Sequence, residues 1–349
     1  FAVGGGGGKC EFENGLPMFE QLVGAQLNRT VNGDFKPYSL DQNLTGSQYF
    51  YGVQVGGTYK VTDKVSVFGG LRGVIARSGY TGAIRNITLD GKNSADYDKA
   101  SLDAANAANM YKDLGDLANA AMYAELAQKA GTASYVMKDL VLDCDQSAFG
   151  VTPILGVDVN LGKLNLAAKY EFRTKINFEN ESNNSENLTA LATQVPAVGV
   201  YADGAKVRSD IPALLTFGAQ YSILDNLRLM GGFHYYFDKA AKGSATDVEK
   251  NTWEVTYGAE WDANKWLTLS VGGQRTKYNF GQNMQDTNFN ISSTALCLGA
   301  TFHVSQVVDI NAGYMHSFYN DHRIDRGDKI VDTYTRKNDA VGVSVDLKF

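Results

Sequence analysis

The feature that most constrains this chain is an alternation of apolar and polar residues at period two, sustained far beyond the length of an ordinary strand. In LNLAAKYEFRTKINF, one side carries Leu164, Leu166, Ala168, Tyr170, Phe172, Thr174, Ile176 and Phe178. The other carries Asn165, Lys169, Glu171, Arg173, Lys175 and Asn177, with Ala167 among them. Successive strand side chains point to opposite faces, so the segment reads as a strand with one greasy face and one charged face. TWEVTYGAEW sets Trp253, Val255, Tyr257, Ala259 and Trp261 against Thr252, Glu254, Thr256, Gly258 and Glu260. LRLMGGFHYYFD sets Leu227, Leu229, Phe233, Tyr235 and Phe237 against Arg228, Met230, His234, Tyr236 and Asp238. The final strand, AVGVSVDLKF, sets Val341, Val343, Val345, Leu347 and Phe349 against Gly342, Ser344, Asp346 and Lys348.

The connections alternate in length. Short turns fall at 60–64, 160–163, 224–226, 262–265 and 304–306, and longer polar links at 79–146, 179–210, 239–250, 279–290 and 321–336. Tight turns at one end and long loops at the other are the layout of a bacterial outer-membrane barrel. Strands are expected near 49–60, 65–78, 147–160, 164–178, 211–223, 227–238, 251–262, 266–278, 291–304, 307–320 and 337–349, with Phe1–Val3 as the stump of a twelfth. A soluble sandwich would also alternate. Against it stand strand length, aromatics near strand ends (Tyr49, Tyr51, Tyr59, Trp253, Trp261, Trp266, Phe318, Tyr319) and the terminal Phe349. No stretch reaches the roughly 18 apolar residues of a membrane helix. The formal charge of -6 leaves no basic footprint for nucleic acid. In strand 266–278, Arg275 and Lys277 share a face with Leu267, Leu269 and Val271 and are expected above the lipid.

One link differs in kind. Residues 94–130 are rich in Ala, Leu, Asp and Lys, with Leu102, Met110, Leu114, Leu117, Met122 and Leu126 at roughly helical spacing. Two short helices broken near Gly115 are expected, as an insert in an outer loop that either caps the mouth or packs on neighbouring loops. Cys10, Cys144 and Cys297 have no metal-type spacing, although Cys10 and Cys144 could bridge in an oxidising space. Nothing calls for a metal or cofactor. His234, His303, His316 and His322 have no serine nucleophile elbow or paired carboxylates beside them, so no enzyme is expected.

With these stretches in hand, the chain resembles the FadL-type outer-membrane transporters of long-chain fatty acids and other hydrophobic compounds. The resemblance is carried by FAVGGGGGKCEFENGLPMFE, GVTPILGVDVNLGKLNLAAKYEFRTKINFEN and SDIPALLTFGAQYSILDNLRLMGGFHYYFDKA, and is best over 147–178 and 209–320. It implies an integral all-β barrel of about 14 strands, about 12 of them in this chain, in a Gram-negative outer membrane. It also implies an N-terminal hatch and two first strands outside the numbered chain; the absence of an initiator methionine suggests the same. Residues 1–349 then form one barrel domain.

The implied function is passive uptake: capture at outer loops, passage into the lumen, and lateral exit through a wall gap at a kinked strand. Leu102, Met110, Leu114, Leu117, Met122 and Leu126 become capture residues. Gly4, Gly5, Gly6, Gly7 and Gly8, read as the upper part of a strand running out into an outer loop, become the gate hinge. A lumen for an amphiphile needs an apolar body with a few placed polar groups. Met230, Tyr236, Met315, Phe68 and Ile154 supply the first, Arg72, Lys169, Arg173 and Arg228 could meet a carboxylate head, and His234 faces the same space. The alternative for these cations is pairing with Glu171, Glu254, Glu260 and Asp309. Expected partners are a fatty-acid-like ligand or detergent and outer-membrane lipid, including lipopolysaccharide. Two other readings stay open: an accessory barrel with an outer-membrane protein partner, and a diffusion porin.

Overall fold

The computed structural model describes residues 2–30, 36–193, 196–243, 248–279, 290–327 and 330–348. Phe1 and Phe349 lie outside them. The strands, in chain order, are β1 (Ala2–Phe12), β2 (Tyr38–Lys60), β3 (Val65–Leu89), β4 (Leu140–Asn160), β5 (Leu164–Glu171), β6 (Asn177–Ser182), β7 (Lys206–Arg208), β8 (Leu214–Leu224), β9 (Leu227–Tyr236), β10 (Thr252–Asn264), β11 (Leu267–Lys277), β12 (Ser293–His303), β13 (Val308–Tyr319), β14 (His322–Gly327), β15 (Ile330–Tyr334) and β16 (Lys337–Leu347). Twelve of them pair as an antiparallel meander, β1-β2-β3-β4-β5-β8-β9-β10-β11-β12-β13-β16, to make the barrel wall; β6 and β7 join it, and β14 and β15 form a separate hairpin.

The alternation sets the faces. Val67, Leu71 and Ile75 on β3, Phe149, Val151, Leu155 and Val157 on β4, and Val341, Val343, Val345 and Leu347 on β16 are exposed along the outside. Their neighbours in sequence, such as Arg72, Thr152 and Ile154, are half-buried or buried inside. Exposed apolar rows on a barrel exterior suit hydrocarbon rather than water; among the described residues the ladder runs from β1 to β16 without a pairing between those two strands. Three strands run well past their expected ends, β2 starting at Tyr38, β3 ending at Leu89 and β4 starting at Leu140.

Three expectations are corrected. The strand placed at 164–178 stops at Glu171 and resumes as β6 at Asn177. β4 pairs with β5 through Ile154↔Glu171 and with β6 from Ser147↔Glu179, one residue out of register. A one-residue slip turns every following side chain to the other face. Thr174, Ile176 and Phe178 therefore point inward, where Ile176 and Phe178 are 0% and 1% exposed against Val74, Ala76, Phe50, Ala148, Val207 and Ile211. Second, the glycine run does not lead into a loop. It lies inside β1, paired with β2 from Ala2↔Gln54 to Phe12↔Leu44 without a break. Third, Cys10 and Cys144 are free thiols. They stand in one row with Gly46 and Tyr80 between them, three strand spacings or roughly 14 Å apart, beyond disulfide reach.

Helices occupy the end opposite the short turns: α1 (Pro17–Thr30), α2 (Ser94–Asp113), α3 (Leu117–Val136), α4 (Glu186–Ala192) and α5 (Pro196–Gly199). Asn93 and Asp96 form a capping box on α2, Gly115 takes φ +79° at the turn, and the Asp116 carboxylate accepts from the Asn119 N–H to cap α3. The base of this hairpin is fixed by Leu27, Ile87, Leu89, Ala133 and Met137. The chain between β6 and β7 folds over the mouth, where Tyr201 packs edge-on to Tyr80 at 5.6 Å. Burial pushes the Tyr201 phenol up to about 12, with Tyr80 and Cys144 adding to the effect, so it stays neutral across the physiological range.

The inverted face generates a prediction. Phe178→Ala should lower the unfolding free energy by about 3–5 kcal/mol, as expected for a fully buried aromatic. Phe172→Ala, at a side chain 40% exposed on the lipid side, should cost a small fraction of that. Urea unfolding from phospholipid vesicles measures both, and equal losses would refute the inversion.

Candidate functional site: the lumen beneath the apolar cluster

Inward-facing side chains make two ion-paired tiers. Toward the short turns, Arg228 on β9 donates from Nη1 and Nη2 to the two Asp262 carboxylate oxygens at 2.9 Å each, and from Nε to Glu260 at 3.2 Å. Thr268 donates its hydroxyl to Asp262 at 2.7 Å, and its oxygen lies 3.0 Å from His303 Nε2. His303 Nδ1 meets Asp309 at 2.9 Å, and Lys348 closes the row on the other Asp309 oxygen at 2.7 Å.

Higher in the wall, His234 Nδ1 lies 2.7 Å from Glu254 Oε1, while Gln274 and Thr276 donate to Oε2 at 2.5 and 2.8 Å. Farther along the sheet, on β3 and β5, Arg72 Nη1 donates to Glu171 Oε2 at 2.7 Å, and its Nε and Nη2 donate to Gln54 Oε1 at 3.2 and 2.9 Å. Lys169 Nζ reaches Glu171 Oε1 at 2.7 Å. Two cations thus share one half-buried carboxylate, and the group carries a net positive charge. Its lysine and arginine remain 44% and 31% exposed to the lumen. Val74 and Ala76 follow Arg72 on the same face of β3, so the apolar cluster of Ile176 and Phe178 begins directly above this charge.

Between the tiers the wall carries little side chain. Gly258 and Gly272 face inward in one row with Cys297 and Met315, and Gly299, Gly313 and Gly342 in the next; with Met230 they line a hollow of about 690 Å³. Met230 and Met315 therefore sit in the open middle of the lumen. Tyr236 is half-buried near the outer end, its ring 6.3 Å from that of His234. Arg173 is separated from these groups: beyond the register slip it donates to the Ala240 carbonyl at 2.6 Å and approaches Asp210 at 3.5 Å.

The residues expected to capture ligand form no buried core. Leu102, Met110, Leu114, Leu117, Met122 and Leu126 are all exposed, Leu114 and Leu117 at the hairpin tip to 72% and 71%. Two of the five glycines are covered from the next strand instead: Gly5 faces Tyr51 and Gly7 faces Tyr49, whose rings lean over the positions where side chains would start, while Gly4, Gly6 and Gly8 have open space. Aromatic cover of this kind compensates an edge strand for missing side chains.

Sequence reasoning missed Gln54, Thr152 and the inward turn of Ile176 and Phe178. Gln54 carries the lumen parity of β2 and was legible; the turn was not, because the alternation runs through it without a stammer. It also missed α1, signalled by Pro17 in the first turn and by Val23 and Leu27 four apart.

No protein-family model and no curated protein matches the chain. Among solved structures, a FadL homologue from Pseudomonas aeruginosa aligns with a TM-score of 0.58 at 12% identity, over 89% of this chain and 74% of that one. A deletion mutant of the TodX monoaromatic hydrocarbon channel aligns at 0.53 and 13% identity, over 99% and 78%. The fold is that of the FadL-type outer-membrane barrels. At these identities the likeness is one of fold, and the lumen chemistry of this FadL-type barrel rests on its own residues.

The glycine strand yields a sharp contrast. A side chain at Gly7 would collide with the Gln48 carbonyl and the Tyr49 backbone, whereas Gly6 has open space around it. Gly7→Val should unpair β1 from β2 and lower the temperature at which the folded gel band is lost, while Gly6→Val should leave it in place. Identical behaviour of the two variants would refute the pairing.

Proposed function

We propose that the chain carries hydrophobic small molecules passively through a bacterial outer membrane, taking them at the exposed helical hairpin and releasing them sideways through the wall. The observation that carries this reading is the net positive Arg72–Glu171–Lys169 group set directly beneath an apolar cluster. A molecule with one anionic head and an apolar body matches this arrangement: the head is drawn by the excess charge, and the body lies along half-buried lumen side chains such as Tyr236 and Met230. The fold shared with a FadL homologue and with a hydrocarbon channel supports the same class of cargo. No energy source is needed, because moving a buried CH₂ between apolar surroundings is nearly neutral whereas releasing it to water costs about 0.8 kcal/mol. Sideways release keeps the cargo out of water throughout.

The head-group assignment separates charged from neutral cargo. Replacing Arg72 and Lys169 together by alanine should weaken binding of tritiated palmitate by about tenfold, or about 1.4 kcal/mol. Binding of naphthalene, which has no head, should change less than twofold. Equal losses for both probes, or none for palmitate, would overturn the assignment. In a separate readout, Leu114→Asp with Leu117→Asp at the hairpin tip should slow palmitate uptake by whole cells several-fold while leaving its equilibrium binding to purified protein unchanged.

A further inference from the structure

The wall ladder is interrupted inside the apolar band. β4 and β5 pair up to Ile154↔Glu171, and one further bond runs from the Phe172 N–H to the Pro153 carbonyl at 3.0 Å. Pairing resumes only at Ser147↔Glu179. Between these points no backbone hydrogen bond joins residues 148–152 of β4 to residues 173–178. Those residues cross the lumen face of β4 instead of lying beside its edge. The Thr174 and Thr152 hydroxyls are hydrogen-bonded, and a side chain at Gly150 would meet Thr174 Cγ2 at 2.6 Å and Ile176 Cδ1 at 2.7 Å. The returning strand moves with them, through Thr174↔Ile211 and Asn177↔Arg208. The result is a two-stranded flap inside the wall, residues 173–178 with 206–211, held by Ile176 and Phe178 on Val74 and Ala76 and anchored where 179–182 rejoin the edge of β4.

In hydrocarbon each unpaired backbone group costs several kcal/mol, so a break at this level needs a compensating role. Its outer rim is apolar: Phe149, Val151 and Phe172 are exposed on the lipid side. Its inner sill is the Arg72–Glu171–Lys169 group, since Arg72 stands opposite Thr152 and Glu171 opposite Ile154. By contrast, the ladder joining the glycine strand β1 to β2 is continuous over its whole length. We propose that the break between β4 and β5 is the lateral portal, with the crossing residues 173–178 and their partners 206–211 as its door and the charged group as the point where an anionic head waits while the apolar body passes between Phe149, Val151 and Phe172. This rests on the transport reading above.

A staple across the break tests the portal. Thr152→Cys with Thr174→Cys puts two thiols where two hydroxyls now touch, so oxidation should tie the flap to β4. Tritiated palmitate uptake into cells should fall at least tenfold on oxidation and return on reduction with dithiothreitol, with the folded gel band unchanged. Palmitate bound to the purified oxidised protein should stay within twofold of the reduced form, because the head-group site is untouched. Uptake that is indifferent to oxidation, while binding persists, would overturn the portal and leave transport standing. Loss of uptake in Gly4→Val with Gly6→Val, with the stapled protein still active, would place the exit at β1. As an independent measurement that requires no disulfide, benzoylphenylalanine at Val151 should photo-cross-link tritiated palmitate, and at Val345 on the far side of the wall it should not. Equal labelling at both positions would also overturn the proposal. Absence of both binding and uptake in the unmodified protein would sink the transport reading and the portal with it.

Discussion

In lipid, a strand has no water to satisfy its backbone, so every N–H and C=O that crosses the hydrocarbon must be matched by a neighbouring strand. The rest of this structure follows from that requirement. Twelve strands hand their hydrogen bonds along in a single antiparallel order, and hairpin connections are enough because each strand returns beside the last. Side chains are then free to serve two solvents, one on each face. The outer rows of valine, leucine and aromatic residues and the inner rows of paired charges are both consequences of a wall one residue thick.

The same requirement explains where the wall departs from regularity. Along β5 the apolar side faces outward up to Phe172. The register slip beside Pro153 turns Thr174, Ile176 and Phe178 inward, where they are buried against β2 and β3 instead of standing on the outer face. One displacement thus creates an apolar roof over the charged group and a discontinuity in the ladder. Gly150 permits it, since any side chain there would occupy the path of the crossing chain.

The charges inside the lumen are almost all committed to one another. Arg228 is held by two carboxylates, His234 by Glu254, and His303 and Lys348 by Asp309. At Glu171 one carboxylate meets both Arg72 and Lys169, and this excess of positive charge distinguishes its level from that of Arg228, which two carboxylates hold.

Much of this was legible in the residues alone. Alternation fixed which residues of β3, β4, β10 and β16 face out, because a strand offers only two faces and lipid tolerates only one kind of surface. Loop lengths separated the two ends, and composition marked the helical hairpin and its turn at Gly115. What the sequence could not carry was any event that leaves the alternation untouched. The slip after Phe172 changes no residue type, so nothing local announces it; it is decided by the pairing available from β4 and by the apolar partners waiting on β2 and β3. Likewise Arg72 and Glu171, 99 residues apart, meet only because two ladders set their heights. The chain's own order determined a barrel with a greasy outside and a charged inside. Only the pairing of strands with one another decided where that inside has charge to spare, because balance among charges is a property of neighbours in space.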